Sequence, residues 1–250
     1  MHKKTAVWRK PRRVDAFGTL DVTVYQNPER QLSDSQVDAY TDIAQSAFTR
    51  AEPDRENVEE HVYADTLVEA KVDGEIIGFS GTEVLESEEL EDDVVLGSGM
   101  AVDPEYQQQG IGSLIRTRGV LEDTESDGYF AARSANPGIL SHMQDQYGAF
   151  PREGESTPYD VEIAMNEASQ AIDDSKVFDA PVMESAYPEQ MNDMPDHELS
   201  DFLREVMEEH GEGYDNGDAL IMAAEVSEQD LIDEYELQVE ESDFEVGTGI

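Results

Sequence analysis

The sequence predicts a mixed α/β domain, and three observations carry that prediction. Short runs alternate apolar and polar residues, as in Thr19 to Gln26 (TLDVTVYQ), which marks strands with one buried face. Between such runs, apolar residues recur three and four apart, as in Val37, Tyr40, Ile43, Ala44, Ala47 and Phe48, which marks helices lying on a sheet. One apolar run, Val94 to Val102, passes through a glycine-bearing turn directly into a helical pattern.

Each element follows from local chemistry. Thr19 to Gln26 is the first strand. Ser33 with Gln36 forms a capping-box arrangement that opens a helix reaching about Arg50, and Asp54 to Tyr63 is a second, short helix. Thr66 to Val72 and Glu75 to Leu85 flank Asp73 and Gly74, a turn pair that suits a tight hairpin. An acidic loop, Glu86 to Asp93, leads to the strand Val94 to Val102. A helix then runs to about Asp123, followed by a strand at Asp127 to Ser134 and a helix at Asn136 to Gln146. Pro158 to Met165 (PYDVEIAM) reads as a closing strand. Beyond Asn166 the chain changes character: a polar, proline-bearing stretch to Pro195, an amphipathic helix at Glu198 to His210, a strand at Ala219 to Val226, and a short helix capped near Ser227. The expected organisation is a basic arm over 1–18, the α/β domain over 19–166, and an acidic C-terminal extension over 167–250, either an added subdomain or a homodimerisation element.

The stretch Val102 to Ser113, VDPEYQQQGIGS, holds the clearest chemistry. A strand, a glycine turn and a helix start leave free backbone N–H groups at a helix N-terminus, a natural seat for a phosphate. Gly110 and Gly112 carry no side chain to hold such a ligand away. The turn lacks the lysine of a P-loop and has no GxGxxG, so neither nucleotide motif applies. With its Val-Asp-Pro lead-in, the pattern Gln107-x-x-Gly110-x-Gly112 resembles the acetyl-CoA loop of the GNAT N-acetyltransferases. A second stretch, Asn136-Pro137 and then Tyr147-Gly148-Ala149-Phe150, is similar to a later segment of the same family. The resemblance covers about Leu20 to Asn166.

What the resemblance implies is an enzyme with the GNAT fold that transfers the acetyl group of acetyl-CoA to an amine, on a small molecule or a protein, by direct attack in a ternary complex. On that reading Gln108, Gln109, Gly110, Ile111, Gly112 and Ser113 meet the diphosphate, and Gln107 braces the loop. The main chain of Met100, Ala101 and Val102 pairs with the pantetheine arm and polarises the acetyl carbonyl. Asn136 either contacts the cofactor or caps its helix. Gly97 and Gly99 suggest a bulge that admits the cofactor, or close backbone packing. The family commonly places a thiolate-protonating tyrosine about seven residues past the asparagine, but that count reaches Met143. Tyr147, one turn later, is the candidate acid, and Glu83 on the third strand the candidate base; Ser98 could relay a proton through water. The alternative is a silent GNAT-like binding or assembly module. The resemblance places acceptor specificity in Arg50 to Val62 and Arg152 to Thr157.

Composition sets the surroundings. There are 59 acidic against 16 basic residues, for a net charge of −43. Such self-repulsion is removed when molar salt shortens the Debye length to about 3 Å, so the charge reads as adaptation to a salt-loaded cytoplasm, as in a halophile or its virus. Six basic residues fall within the first 13, with Trp8, the sole tryptophan, placed to pin that arm to the body. High salt weakens phosphate attraction, so no nucleic-acid partner is expected. The absence of cysteine excludes disulfides and thiolate chemistry, and the five histidines show no metal spacing. No apolar window suits a membrane span, and the basic N-terminus has no apolar core of a secretory signal.

Overall fold

The computed structural model describes residues 12–14, 18–48, 53–173, 178–179, 181–187, 193–241 and 245–246. Most of the basic arm, Trp8 included, lies outside the described residues. Among the described residues, ten strands form one sheet: β1 (Arg12–Val14), β2 (Gly18–Gln26), β3 (Thr66–Val72), β4 (Glu75–Leu85), β5 (Val94–Val102), β6 (Asp127–Ser134), β7 (Phe178–Asp179), β8 (Val182–Met183), β9 (Ala219–Ser227) and β10 (Glu245–Val246). Their order is β10-β1-β2-β3-β4-β5-β6-β9-β8-β7. Every neighbouring pair is antiparallel except β5 with β6. Among the described residues, seven α-helices cover the sheet: α1 (Asp34–Ala47), α2 (Arg55–Val62), α3 (Ile111–Asp123), α4 (Pro137–Tyr147), α5 (Tyr159–Ile172), α6 (Ser200–His210) and α7 (Glu228–Glu241). Among the described residues no helix is long and apolar enough to cross a membrane.

The alternation of side chains sorts the core into two faces. On one face Leu67, Phe79 and Ala101 meet Tyr40 and Ile43 of α1 and Val58 and Val62 of α2, while Val94, Leu96 and Ala131 meet Val161, Ala164 and Met165 of α5. On the other, Val68, Ala70 and Val102 pack on Ile111, Leu114 and Ile115 of α3, while Val95, Phe130 and Met222 meet Leu140 of α4, Leu203 of α6 and Leu231 of α7.

Helix starts are fixed as the sequence predicts. The Gln36 side chain accepts from the Ser33 N–H at 3.1 Å, and the Asp54 carboxylate accepts from the Asn57 N–H at 2.9 Å. One correction concerns the closing strand. Pro158 to Met165 is no strand; it opens α5, which continues to Ile172. Val161, Ile163 and Met165 alternate, but Val161, Ala164, Met165 and Ala168 also repeat at helical spacing, and all four are buried on one side of α5. The place beside β6 goes to β9, whose Ala219 to Ala224 are buried on both faces, the pattern of a central strand. The boundary drawn after residue 166 therefore runs through α5, and the extension beyond it contributes β8 and β9 to the sheet.

A buried acid ties α1 to the sheet. Glu69 on β3 is fully buried, and its carboxylate accepts from Tyr40 at 2.7 Å and Tyr25 at 3.0 Å, with Lys71 beside it. A carboxylate taken from water in this way is tolerated only with such donors around it. We expect Tyr40→Phe, which removes one of them, to destabilise the protein by about 1–3 kcal/mol in urea melts, far more than an isosteric change at an exposed tyrosine such as Tyr159, which is 72% exposed.

Candidate active site

The site is built where two strands part. β5 and β6 pair in parallel only over Val94 with Tyr129 through Gly97 with Ala132. Past that point β5 continues to Val102 along β4, while β6 continues to Ser134 along β9. Ser98 to Val102 thus has a strand partner on one side only, and its other edge is available to an extended ligand.

The separation has a local cause. Gly99 pairs with Gly81 and Gly97 with Thr82, leaving Ser98 as the extra residue of a bulge. The bulge inverts the alternation: Val95 faces α3 and α4, yet Ala101, six residues on, faces α1. Packing pins it in place. The Ser98 hydroxyl donates to the His61 carbonyl at 3.1 Å, and a Cβ on Gly99 would lie 2.7 Å from the His61 ring. The two glycines flank a bulge, and the close approach at Gly99 is by the His61 side chain rather than by backbone.

At the mouth of the parting lies the glycine loop. Gln108 and Gly110 have positive φ, 62° and 76°, and a Cβ on Gly110 would meet nothing within 4 Å, so the loop is open on its outer side. The first hydrogen bond of α3 runs from Leu114 N–H to the Gly110 carbonyl. The amides of Gln108 to Ser113 donate to no acceptor among the described residues. They form a concave set of donors at a helix N-terminus. Gln107 Nε2 donates to the Val102 carbonyl at 2.9 Å and clamps the loop to the end of β5. Gln109 Nε2 donates to the Glu105 carbonyl at 3.2 Å, and the buried Ile111 anchors the helix start in the core. Gly112 faces Met100, whose side chain would lie 3.6 Å from a Cβ there. Ser113 Oγ accepts from Gln146 Nε2 at 2.7 Å, which holds α3 against α4. Asn136 does what an N-cap does: its side chain accepts from the Gly138 N–H at 2.9 Å.

The two candidate proton carriers fare differently. Glu83 pairs with Leu96 across β4 and β5, on the sheet face that carries α2 and α5, the face to which Ser98 and His61 belong. It is half-buried, and burial, with the Asp65 carboxylate nearby, pushes it above the ordinary carboxylate range. Tyr147 lies on the other face. Its hydroxyl is 2.7 Å from Thr117 Oγ1 within the α3–α4 interface, its ring packs edge-on against Phe130, and the surface it keeps opens onto a hollow lined by Glu225, Leu231 and Glu234 beneath α7. Burial raises its pKa, offset in part by the charge of Arg116 and by Thr117. These contacts give Tyr147 a packing role between α3, α4 and β6. Met143, at the position counted from the asparagine, is fully buried.

Two residues not picked out from the sequence sit at the parting. The half-buried imidazole of His61, pushed down to about 4 by desolvation and by the charge of Arg133, is neutral around pH 7. Arg133, half-buried, follows the last β5–β6 pair and lies across from Ile221 on the face of α5. His61 closes a stretch that looked uninformative because a lone histidine among glutamates carries no pattern; only the packing of α2 on the bulge reveals it.

Residues 30–117 match the model of the acetyltransferase (GNAT) family, a segment that runs from before α1 to the middle of α3 and contains the bulge and the glycine loop. That segment is similar to the GNAT acetyltransferases, a family whose general chemistry is acetyl transfer. Similar solved structures include the ribosomal-protein-S18-alanine N-acetyltransferase of Escherichia coli, at 16% identity over 82% of this chain and 94% of that one, with a TM-score of 0.44. A GNAT family acetyltransferase of Elizabethkingia anophelis with acetyl-CoA bound is 13% identical over 82% and 98% of the two chains, TM-score 0.41. Ard1 of Thermoplasma volcanium is 13% identical over 82% and 97%, TM-score 0.40. No curated protein matches the sequence significantly.

If Tyr147 is a packing residue, Tyr147→Phe lowers stability by about 1 kcal/mol and leaves turnover within about twofold of the parent. A loss of turnover of a hundredfold or more at unchanged stability would return the acid role to this hydroxyl.

Proposed function

We propose that the chain is an N-acetyltransferase that binds acetyl-CoA along the parted strands and passes its acetyl group directly to an amine held on the α2 and α5 face. The observation that carries this reading is the conjunction of the parting after Gly97 with unpartnered amides from Gln108 to Ser113 at its mouth. An extended chain ending in a diphosphate fits that arrangement: amide donors and the positive end of α3 for the diphosphate, an unpaired strand edge for the amide-bearing arm. Gln108, Gln109, Gly110, Ile111, Gly112 and Ser113 would hold the diphosphate through their main chain. Met100, Ala101 and Val102 would hold the arm, with Asn136 at the opposite wall. Acetyl-CoA supplies an acetyl group activated as a thioester.

This chain's residues do the rest. A main-chain N–H near the bulge, beside the Ser98–His61 bond, would polarise the acetyl carbonyl. Glu83, held above the usual carboxylate range and on the acceptor face, takes the proton of the amine through an intervening water. In net terms the amine nitrogen bonds to the acetyl carbon, the carbon–sulfur bond breaks, and the proton lost from nitrogen ends on the thiol by way of solvent.

Two experiments, in about molar KCl to screen a charge of −43, test the two halves. Calorimetry should show acetyl-CoA binding to the parent, and Gly110→Glu should weaken it by about a hundredfold or more, since a carboxylate would enter the diphosphate seat from a backbone at φ 76°. Undiminished affinity in that variant would refute the seat. Because protonated Glu83 cannot accept a proton, the parent's kcat/KM should decline as pH falls through a value above the ordinary carboxylate pKa. Glu83→Gln should lower kcat by about 10²–10⁴ and remove that decline; a variant that keeps both has no base at this position.

A further inference from the structure

We infer that the acceptor is a small amine that also carries a carboxylate, an amino acid in the chemical sense, and that Arg133 binds the carboxylate while the amine faces the bulge at Ser98 and Gly99. The inference rests on the reading above and names the acceptor of the same site. Three observations support it. Arg133 is the residue after the last β5–β6 pair, so its side chain leaves β6 where the strands begin to part, and its cross-strand partner Ile221 fixes it on the face of α5. Its guanidinium lies over the Tyr187 ring, 4.8 Å from the centroid, and makes one long bond, 3.4 Å, to the Ala186 carbonyl. Among the described residues it forms no ion pair, although the chain carries 59 acids.

Other arginines are used differently. Arg152 donates to the carbonyls of Ala149 and Gln144, and Arg116 is 6% exposed, sealed between α3 and α4. Arg133 sits over an aromatic ring with guanidinium donors left over, a presentation that suits a two-oxygen anion. Tyr187 is itself fixed, its N–H donating to the Gly217 carbonyl at 2.9 Å. Across from Arg133 stands the neutral ring of His61 against Gly99, which adds no second charge to compete for the carboxylate or repel a nearby ammonium. A cation beside the bound amine also favours its neutral, nucleophilic form.

The test is a thiol-release assay with acetyl-CoA in molar KCl, using free amino acids, the matching carboxamides and simple alkylamines as acceptors. The parent is expected to favour acids over their amides by about tenfold or more in kcat/KM. Arg133→Met, which keeps the apolar stem over Tyr187, should raise KM for the acids about ten- to a hundredfold, leave the amides within about twofold, and leave acetyl-CoA affinity by calorimetry unchanged. Arg133→Lys should recover part of the preference. Equal or better use of amides, alkylamines or peptide amines by the parent overturns the inference, as does a selectivity that survives Arg133→Met. Failure of every acid acceptor while acetyl-CoA still binds also overturns it and leaves the cofactor reading standing; loss of acetyl-CoA binding to the parent strikes the earlier reading instead.

Discussion

The structure depends on one interruption of hydrogen bonding. Four residue pairs join β5 to β6, and then the bulge at Ser98 turns β5 away. A sheet that kept pairing would have no room for a ligand between its strands. Here the interruption is enforced from both sides: His61 fills the volume that side chains on Gly81 or Gly99 would take, and the Ser98 hydroxyl is fastened to the same histidine's carbonyl. α2 is therefore part of the site even though it contributes no residue to the glycine loop. The bulge also decides facing, since it sends Met100 and Val102 toward α3 and Ala101 toward α1. One extra residue thus sets the cleft, the wall behind it and the packing of two helices.

The two sheet faces divide the labour. The stretch from Gln107 to Ser113 offers main-chain donors and carries no charged side chain, which suits a ligand that brings its own negative charge into an acidic protein. The opposite face gathers Glu83, His61, Ser98 and Arg133, side chains that can move or orient protons and ions.

The sequence announced some of this plainly. Gly110 and Gly112 in a strand–turn–helix context, the Asp73–Gly74 hairpin and the capping residues Ser33 and Asp54 are local, and local chemistry decides them. What stayed hidden was set by distant partners. Pro158 to Met165 satisfies a period of two and a period of 3.6 at once, and only the burial of β9 beside β6 settles which applies. Tyr147 lies one turn past the position where the linear motif expects a tyrosine, and its direction is fixed by Thr117 on α3 and by the Gln238 and Glu234 side chains of α7, which hold Thr117 and the adjacent Gln146. His61 and Arg133 have no motif; the bulge and the last strand pair make them neighbours of a cleft.

That β9 sits in the middle of the sheet has a consequence for how the molecule comes into being. On a ribosome, β6 emerges long before the strand that flanks it, so a nascent chain carries a bare row of amides and carbonyls on Gly128 to Ser134 until the later segment arrives. Closing that gap requires a long loop through α4, α5 and α6, which slows assembly relative to the hairpins at the front of the sheet. Meanwhile the abundant carboxylates keep neighbouring half-made chains apart wherever salt is dilute, so the same charge that burdens the finished protein would protect the unfinished one from sticking to its siblings.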